Sequence, residues 1–399
     1  MLDKYLKVCK TSCFSESYIE INNFLVEDCP DQKSRYGDTK EVMNFKLEID
    51  NPYRRCTGGY GRNINVFFLM AEALWIWSGR RDVKFLEIFN SKIKEFSDDG
   101  EVFHAPYGWR MREWGEEAED KTIPMSVQGT GYDQLKGAIN ELNKNRETRR
   151  VAISVWNPLF DLEANFKDHP CNDFLMFKIR DNKLYQFIAN RSNDLHWGLP
   201  TNVFQFSFIG ECMSAILGIS YGRQTHYSDS LHYYTGNPIA DTLYKNHKNN
   251  QDCGEEVFVD LYHLAKEKKI DFNWDGDQSC GMRLNMLDNI IFDMLNNLEK
   301  YHDSKLKYIL STDRVETFRE FSTYLYVTWS LLRIYILYGK TDKKDEDRIF
   351  AIEGILQTCD EVGGYQNVDI IVLALNFFAQ RVKDKSKLPS ILSKYIGTF

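Results

Sequence analysis

The chain has 399 residues, 43% of them hydrophobic and 14% aromatic, enough to bury one large core or two smaller ones. A formal charge of −8 and a pI near 5.6 argue against a nucleic-acid polymer as partner, because such affinity comes from neutralising many phosphates. They leave room for a single nucleotide, whose phosphate a few local arginines can hold.

Residues 1–30 read as a short helical lead-in. From Arg35 to Asp50 a turn gives way to strand-like alternation. The dense apolar run at 62–78 predicts a buried helix, stopped by Gly79. Asp133 to Asn145 is an amphipathic helix with Leu135, Ile139 and Leu142 at helical spacing. Residues 151–156, 174–179 and 184–189 read as strands, and Asp181-Asn182 predicts a hairpin between the last two. Phe204 to Leu217 reads as an apolar helix ended by Gly218. Past Asp271 the character changes, and Leu284, Leu287, Ile291, Leu295 and Leu298 begin a helical region that runs nearly to the end. Phe321 to Gly339 is long enough to span a bilayer, but Ser322, Thr323, Thr328, Ser330 and Arg333 mark it as a buried helix instead. The expected architecture is α+β: a mixed sheet flanked by helices over 1–274, with a helical extension over 275–399 packed on it.

Nine cysteines occur without a CxxC or Cys/His ligand spacing, and MLDKYLKVCK lacks the pattern of a signal peptide. We expect a reduced cytoplasmic chain (of a host cell, for a viral protein) with no membrane segment, no metal site and mostly buried thiols.

Four segments carry chemistry. HPCND places Cys171 after Pro170, just before a strand. NRSNDLHWGLPTN offers Arg191 and Ser192 as an anion clamp, then Asp194, Gly198 and Asn202. In SDSLHYYT, His232 and Tyr234 alternate and so face the same way on an extended segment. TRRVAISVWNP opens a strand with Arg149 and Arg150. Each alone has a plain structural reading: an inert thiol, a solvated loop, a core histidine, a charged strand entry.

Their order and spacing resemble the thymidylate synthase family. That family has an Arg-Arg pair before a strand ending Trp-Asn-Pro, a Pro-Cys nucleophile, an Arg-Ser-x-Asp-x-x-x-Gly-x-Pro-x-Asn run and a His-x-Tyr. All are matched here, from Arg149 to Tyr234. Upstream, Glu72, Leu74, Trp75 and Gly79 match a Glu-x-Leu-Trp-x-x-x-Gly helix, Tyr107-Gly108 a Tyr-Gly, and Arg35 with Gly37 and Thr39 an early phosphate loop.

The resemblance implies a thymidylate-synthase-like fold and a thiolate of Cys171 that adds to C6 of a pyrimidine nucleotide, making C5 nucleophilic. It implies that nearby arginines lower the thiol pKa and hold the phosphate: Arg35, Arg191 and Ser192 from one chain, Arg149 and Arg150 from the partner in a homodimer. It assigns 5,10-methylenetetrahydrofolate as cofactor. Glu72 becomes the proton-relaying glutamate at base and folate, Tyr107 the group linked to loss of the C5 proton, Asp194 a pterin contact, and His232 and Tyr234 the ribose ligands. Asn202 reads the pyrimidine edge. An asparagine favours uracil, although its flipped amide also fits cytosine.

Three departures bear on the product. Tryptophans usual between the glutamate helix and the Tyr-Gly are replaced by residues such as Ile93 and Phe96. Asn172 stands where a histidine usually follows the nucleophile. The family's closing C-terminal tail is not visible in SKYIGTF. A less shielded methylene on C5 favours attack by water over hydride. The reading is therefore a pyrimidine nucleotide hydroxymethylase, with dUMP favoured. The alternatives are a thymidylate synthase proper and a non-catalytic nucleotide- or RNA-binding relative.

Overall fold

A computed structural model of the chain describes residues 2–3, 6–34, 36–56, 64–115, 131–162, 165–248, 269–274, 276–304, 315–363 and 369–392. Arg35 and the final residues 393–399 lie outside the described residues. The strands are β1 (Leu2–Asp3), β2 (Val8–Thr11), β3 (Asp31–Ser34), β4 (Gly37–Ile49), β5 (Ala152–Ser154), β6 (Asn172–Arg180), β7 (Lys183–Asp194) and β8 (Ser220–Tyr234). They form one eight-stranded sheet in the order β1-β2-β4-β8-β7-β6-β5, with β3 folded back on β4. The pairs β2–β4 and β7–β8 are parallel and the others antiparallel.

The helices are α1 (Phe14–Asp28), α2 (Val66–Trp77), α3 (Val83–Glu87), α4 (Tyr107–Arg112), α5 (Gln134–Lys144), α6 (Pro158–Asp161), α7 (Gly198–Ile216), α8 (Pro238–Lys248), α9 (Cys280–Asp303), α10 (Val315–Phe321), α11 (Thr323–Gly339), α12 (Asp345–Val362) and α13 (Asp369–Ala379). Parallel neighbours need a crossover, and α7 supplies it between β7 and β8. The β6–β7 hairpin turns on Asp181 (φ 50°) and Asn182 (φ 55°), both left-handed as a type I′ turn requires.

Two elements differ from expectation. Among the described residues ahead of α1 there is no helix: β1 and β2 precede it. Strand β2 is held by distant partners, from Val8 opposite Lys46 to Thr11 opposite Ile49, so no local period announces it. Helix α7 starts at Gly198, six residues before the apolar run, because the Asp194 carboxylate accepts the backbone N–H of His196 (2.7 Å) and Trp197 (2.6 Å) and closes the turn ahead of it.

The larger core runs from strands β5 to β7 through α2 and α7 into α9, α11, α12 and α13. A smaller one joins α1 to β4 and β8. Helix α2 is apolar nearly all round, so it must be covered on every side. Helix α7 covers one side; α9, α11 and α13 pack on it as well. The Phe67 ring of α2 lies 4.6 Å from Tyr335, 5.3 Å from Phe377 and 5.4 Å from Phe378. The other sheet face carries Phe174, Phe187 and Tyr227 in a row, with successive ring centroids 6.5 Å apart and Phe174 exposed. Among the described residues, no helix is long and apolar enough to cross a membrane. Helix α11, the bilayer-length run of the sequence, buries most of its side chains, including Trp329.

Asp288 of α9 fastens this helical layer. It accepts from Trp77 Nε1 (2.9 Å) and from Arg112 Nη2 (2.7 Å). Asp288→Ala should cost about 2–4 kcal/mol, at or below the range for isolating a buried charge because Arg112 keeps Asp133. A urea midpoint unchanged from wild type would refute that assignment.

Candidate active site

Four elements converge on the thiol. Cys171 precedes β6, and its carbonyl accepts the N–H of Arg191 on neighbouring β7 (3.0 Å). Arg191 Nε donates to the Pro170 carbonyl (2.9 Å), which brings Nη2 to 4.0 Å from Sγ. Tyr107, at the start of α4, reaches the backbone of Cys171 with its hydroxyl and stacks its ring 6.1 Å from Phe206 of α7. Gly108 lets α4 lie against α2, since a Cβ there would collide with the Ile76 carbonyl. The Tyr-Gly pair therefore joins a side chain that reaches Cys171 to a close packing contact.

Glu72 is the one charged residue of α2, and its carboxylate accepts a hydrogen bond from Gln205 of α7. Burial pushes its pKa up to about 8; the Gln205 bond opposes this and the nearby Asp168 charge adds to it. At neutral pH this carboxyl holds its proton. Asn202 lies one turn before Gln205 and is buried. Its Nδ2 donates to Asn193 Oδ1 (3.2 Å), and Asn193 Nδ2 donates to Ser228 Oγ (3.3 Å).

Strand register aligns the remaining groups. Ser192 lies opposite Ser230 and Asp194 opposite His232, while His232 and Tyr234 meet edge-on at 5.5 Å. Burial lowers the His232 pKa despite the Asp194 and Glu41 charges, so its ring is neutral at pH 7. Burial raises the Tyr234 hydroxyl, with the Asp194 charge adding to it.

The thiol itself departs from expectation. Burial raises the Cys171 pKa, with Asp168 and Asp173 adding to the rise, and Arg191 only offsets part of it. One arginine at 4.0 Å is too weak to outweigh desolvation.

Arg149 and Arg150 are not brought to this Cys171. Arg150 is exposed and binds Glu141 through Nε (2.8 Å) and Nη2 (3.1 Å). The Val151 carbonyl pairs with Phe177, six residues along β6 from the thiol, or about 20 Å at strand rise. Neither arginine can span that distance within one chain. Arg35 lies outside the described residues.

Two residues escaped the sequence reading. Gln205, three positions after Asn202 on one helix face, orients Glu72. Asp168, three before Cys171, accepts the N–H of Ala105 (2.9 Å). Of the departures, Asn172 is buried against the Asn190 side chain, Ile93 packs on the core and Phe96 is exposed. Among the described residues, no cluster of His, Cys, Asp or Glu is arranged to hold a metal.

Glu72 also makes stability depend on pH. Folded, it keeps its proton to about 8; unfolded, it ionises near about 4.3. Its contribution is complete below the lower value and is lost as pH rises through the upper one. Glu72→Gln should melt near wild type at pH 5 and above it at pH 9. Parallel melting curves for the two proteins across that span would contradict the raised pKa.

The thymidylate synthase family model matches residues 17–291. The chain is 38% identical over 251 residues to a deoxyuridylate hydroxymethyltransferase of Bacillus phage SP01, a stretch covering 62% of this chain and 64% of that one. It is 35% identical over 175 residues to one of Pseudomonas phage M6, covering 43% and 46%. It is 31% identical over 215 residues to one of Delftia phage PhiW-14, covering 51% and 55%. The chain thus spans between about half and two thirds of the length of these three relatives. With more than half of its residues matched by the family model, this chain belongs to the thymidylate synthase family.

Proposed function

We propose that the protein is a one-carbon transferase that hydroxymethylates C5 of a pyrimidine nucleoside monophosphate, dUMP above all. The observation that carries this is the seating of Cys171 between Arg191 and Tyr107, with the proton-holding Glu72 also near Asp168. The phage relatives, all deoxyuridylate hydroxymethyltransferases, favour uracil and water as the finishing reagent.

In this reading Arg191 and Ser192 hold the phosphate, joined by Arg35. His232 and Tyr234 hold the sugar, and Asn202 reads the base edge with an amide fixed by Asn193. The Cys171 thiolate adds to C6. Tyr107, whose burial keeps its phenol protonated, relays the C5 proton, and Glu72 supplies and withdraws protons at the base. The Glu72 carboxyl, Asp194 and the exposed ring of Trp197 beside it suit a flat, donor-rich heterocycle such as a pterin. 5,10-Methylenetetrahydrofolate, so held, supplies carbon at the formaldehyde level.

The second subunit enters through Arg149 and Arg150, too far from their own Cys171, and through the aromatic row on the open sheet face. The same reading makes 1–274 the catalytic part and 275–399 an extension that buttresses the Glu72 helix, in a cytoplasmic enzyme without a nucleic-acid polymer as partner. The alternative, dTMP formation by hydride transfer, shares every step but the last.

Incubation with dUMP and methylenetetrahydrofolate should give a product heavier by CH2O. A 5-methyl product with dihydrofolate would establish the alternative. Absence of a covalent complex with 5-fluoro-dUMP and the folate would sink both and leave a non-catalytic nucleotide- or RNA-binding relative. Cys171→Ser should lose about three orders of magnitude in turnover while nucleotide binding survives. Mixing Cys171→Ser with Arg149→Ala/Arg150→Ala chains should restore about a quarter of wild-type activity by random pairing. No recovery in such mixtures would reject the shared site.

A further inference from the structure

The loop that carries the nucleophile is fastened along its length. The Lys167 N–H meets the Asp98 carboxylate (3.2 and 3.3 Å), and Lys167 Nζ donates to the Ser97 carbonyl (3.1 Å). Phe166 stacks on His104 with ring centroids 3.7 Å apart, and Arg191 holds the Pro170 carbonyl. Within this loop Asp168 bonds through Oδ2 to the Ala105 N–H, two residues before Tyr107. One hydrogen bond thus ties the segment bearing Cys171 to the segment bearing Tyr107. This bond engages one of the two Asp168 carboxylate oxygens, and the residue is half-buried.

We propose that Asp168 is the base that holds and deprotonates the water adding to the one-carbon unit on C5. This rests on the hydroxymethylase reading. Of the other carboxyls in the site, Glu72 accepts from Gln205 of α7 and Asp194 Oδ1 accepts two backbone N–H groups ahead of α7, whereas Asp168 belongs to the loop that bears Cys171 itself. Asp173, past the nucleophile on β6, faces the Arg191 and Asp229 charges. The Ala105 bond sets Asp168 between the segment of Cys171 and that of Tyr107, and its charge bears on Glu72, Tyr107 and Cys171 alike. Burial raises its own pKa while the Ala105 N–H, His104, Arg110 and His169 oppose this, the balance expected of a group that must take up a proton.

The step closes as follows. The water oxygen bonds to the methylene carbon, and Asp168 takes the proton that this water loses. The CH2=C5 pair moves into the ring as a C4 enolate. That pair then forms C5=C6 while the C6–Sγ bond breaks, returning its electrons to Cys171 as thiolate. The proton on Asp168 passes to the thiolate or to solvent.

Asp168→Asn is the informative variant, because its amide oxygen still accepts the Ala105 N–H and so keeps the clamp while removing the base. Without folate, peptide-resolved alkylation of Cys171 by iodoacetamide should shift about half a pH unit or more downward, since a neighbouring negative charge is gone. With folate and dUMP, the hydroxymethyl product should fall about 100-fold or more with dUMP affinity unchanged. Added 2-mercaptoethanol should then capture the methylene as a C5 thioether. Product formation within threefold of wild type would overturn the proposal, as would loss of both product and thioether, which would put Asp168 before carbon transfer. The same phenotype in Asp173→Asn but not in Asp168→Asn would give the role to Asp173. A 5-methyl product from the wild-type protein would instead defeat the reading on which the proposal rests.

Discussion

The fold is organised by a helix that has no face for water. In α2, ten of twelve residues are buried, and Glu72 is its one charge. Such a helix must be enclosed, and the enclosure takes two forms. Helix α7, the crossover between the parallel strands, lies on one side; α9, α11 and α13 cover more of it. The same enclosure desolvates the Glu72 carboxyl and lifts its pKa into the neutral range. The apolar surroundings that stabilise the core therefore also set the proton affinity of the Glu72 carboxyl.

The sheet contributes alignment. Because β7 and β8 are adjacent and parallel, groups far apart in sequence stand side by side: Ser192 with Ser230, and Asp194 with His232. The antiparallel hairpin β6–β7 sets Arg191 against Cys171 in the same way. A run of buried polar side chains lies behind them, from the Asn202 amide through Asn193 to the Ser228 hydroxyl. Each fixes the orientation of the next, so the Asn202 amide is held through a chain of buried side chains.

Much of this was legible from residue order. The apolar density of 62–78, the stripe from Leu284 to Leu298 and the Asp181-Asn182 turn depend on local periodicity or backbone preference; the first became a helix over Val66–Trp77, and the other two formed as read. The constellation around Cys171 was legible because its members occur in a recognisable order. What stayed hidden depends on tertiary pairing. Strand β2 exists through bonds to β4 some forty residues away, and Asp168 matters through one backbone N–H in another loop. The sign of the thiol shift was also hidden, since it is decided by how deeply Sγ is buried and not by which charges lie nearby in sequence.

The shared core constrains how this chain can evolve. Phe67 of α2 rests on Tyr335, Phe377 and Phe378, side chains from beyond residue 315. A frameshift or stop codon ahead of α11 would strip that cover and expose an apolar helix at the centre of the molecule. The C-terminal helices are therefore not a detachable accessory: trimming them would expose α2 to water. With ten of the twelve α2 side chains buried, the strands and the C-terminal helices share one core and are inherited together.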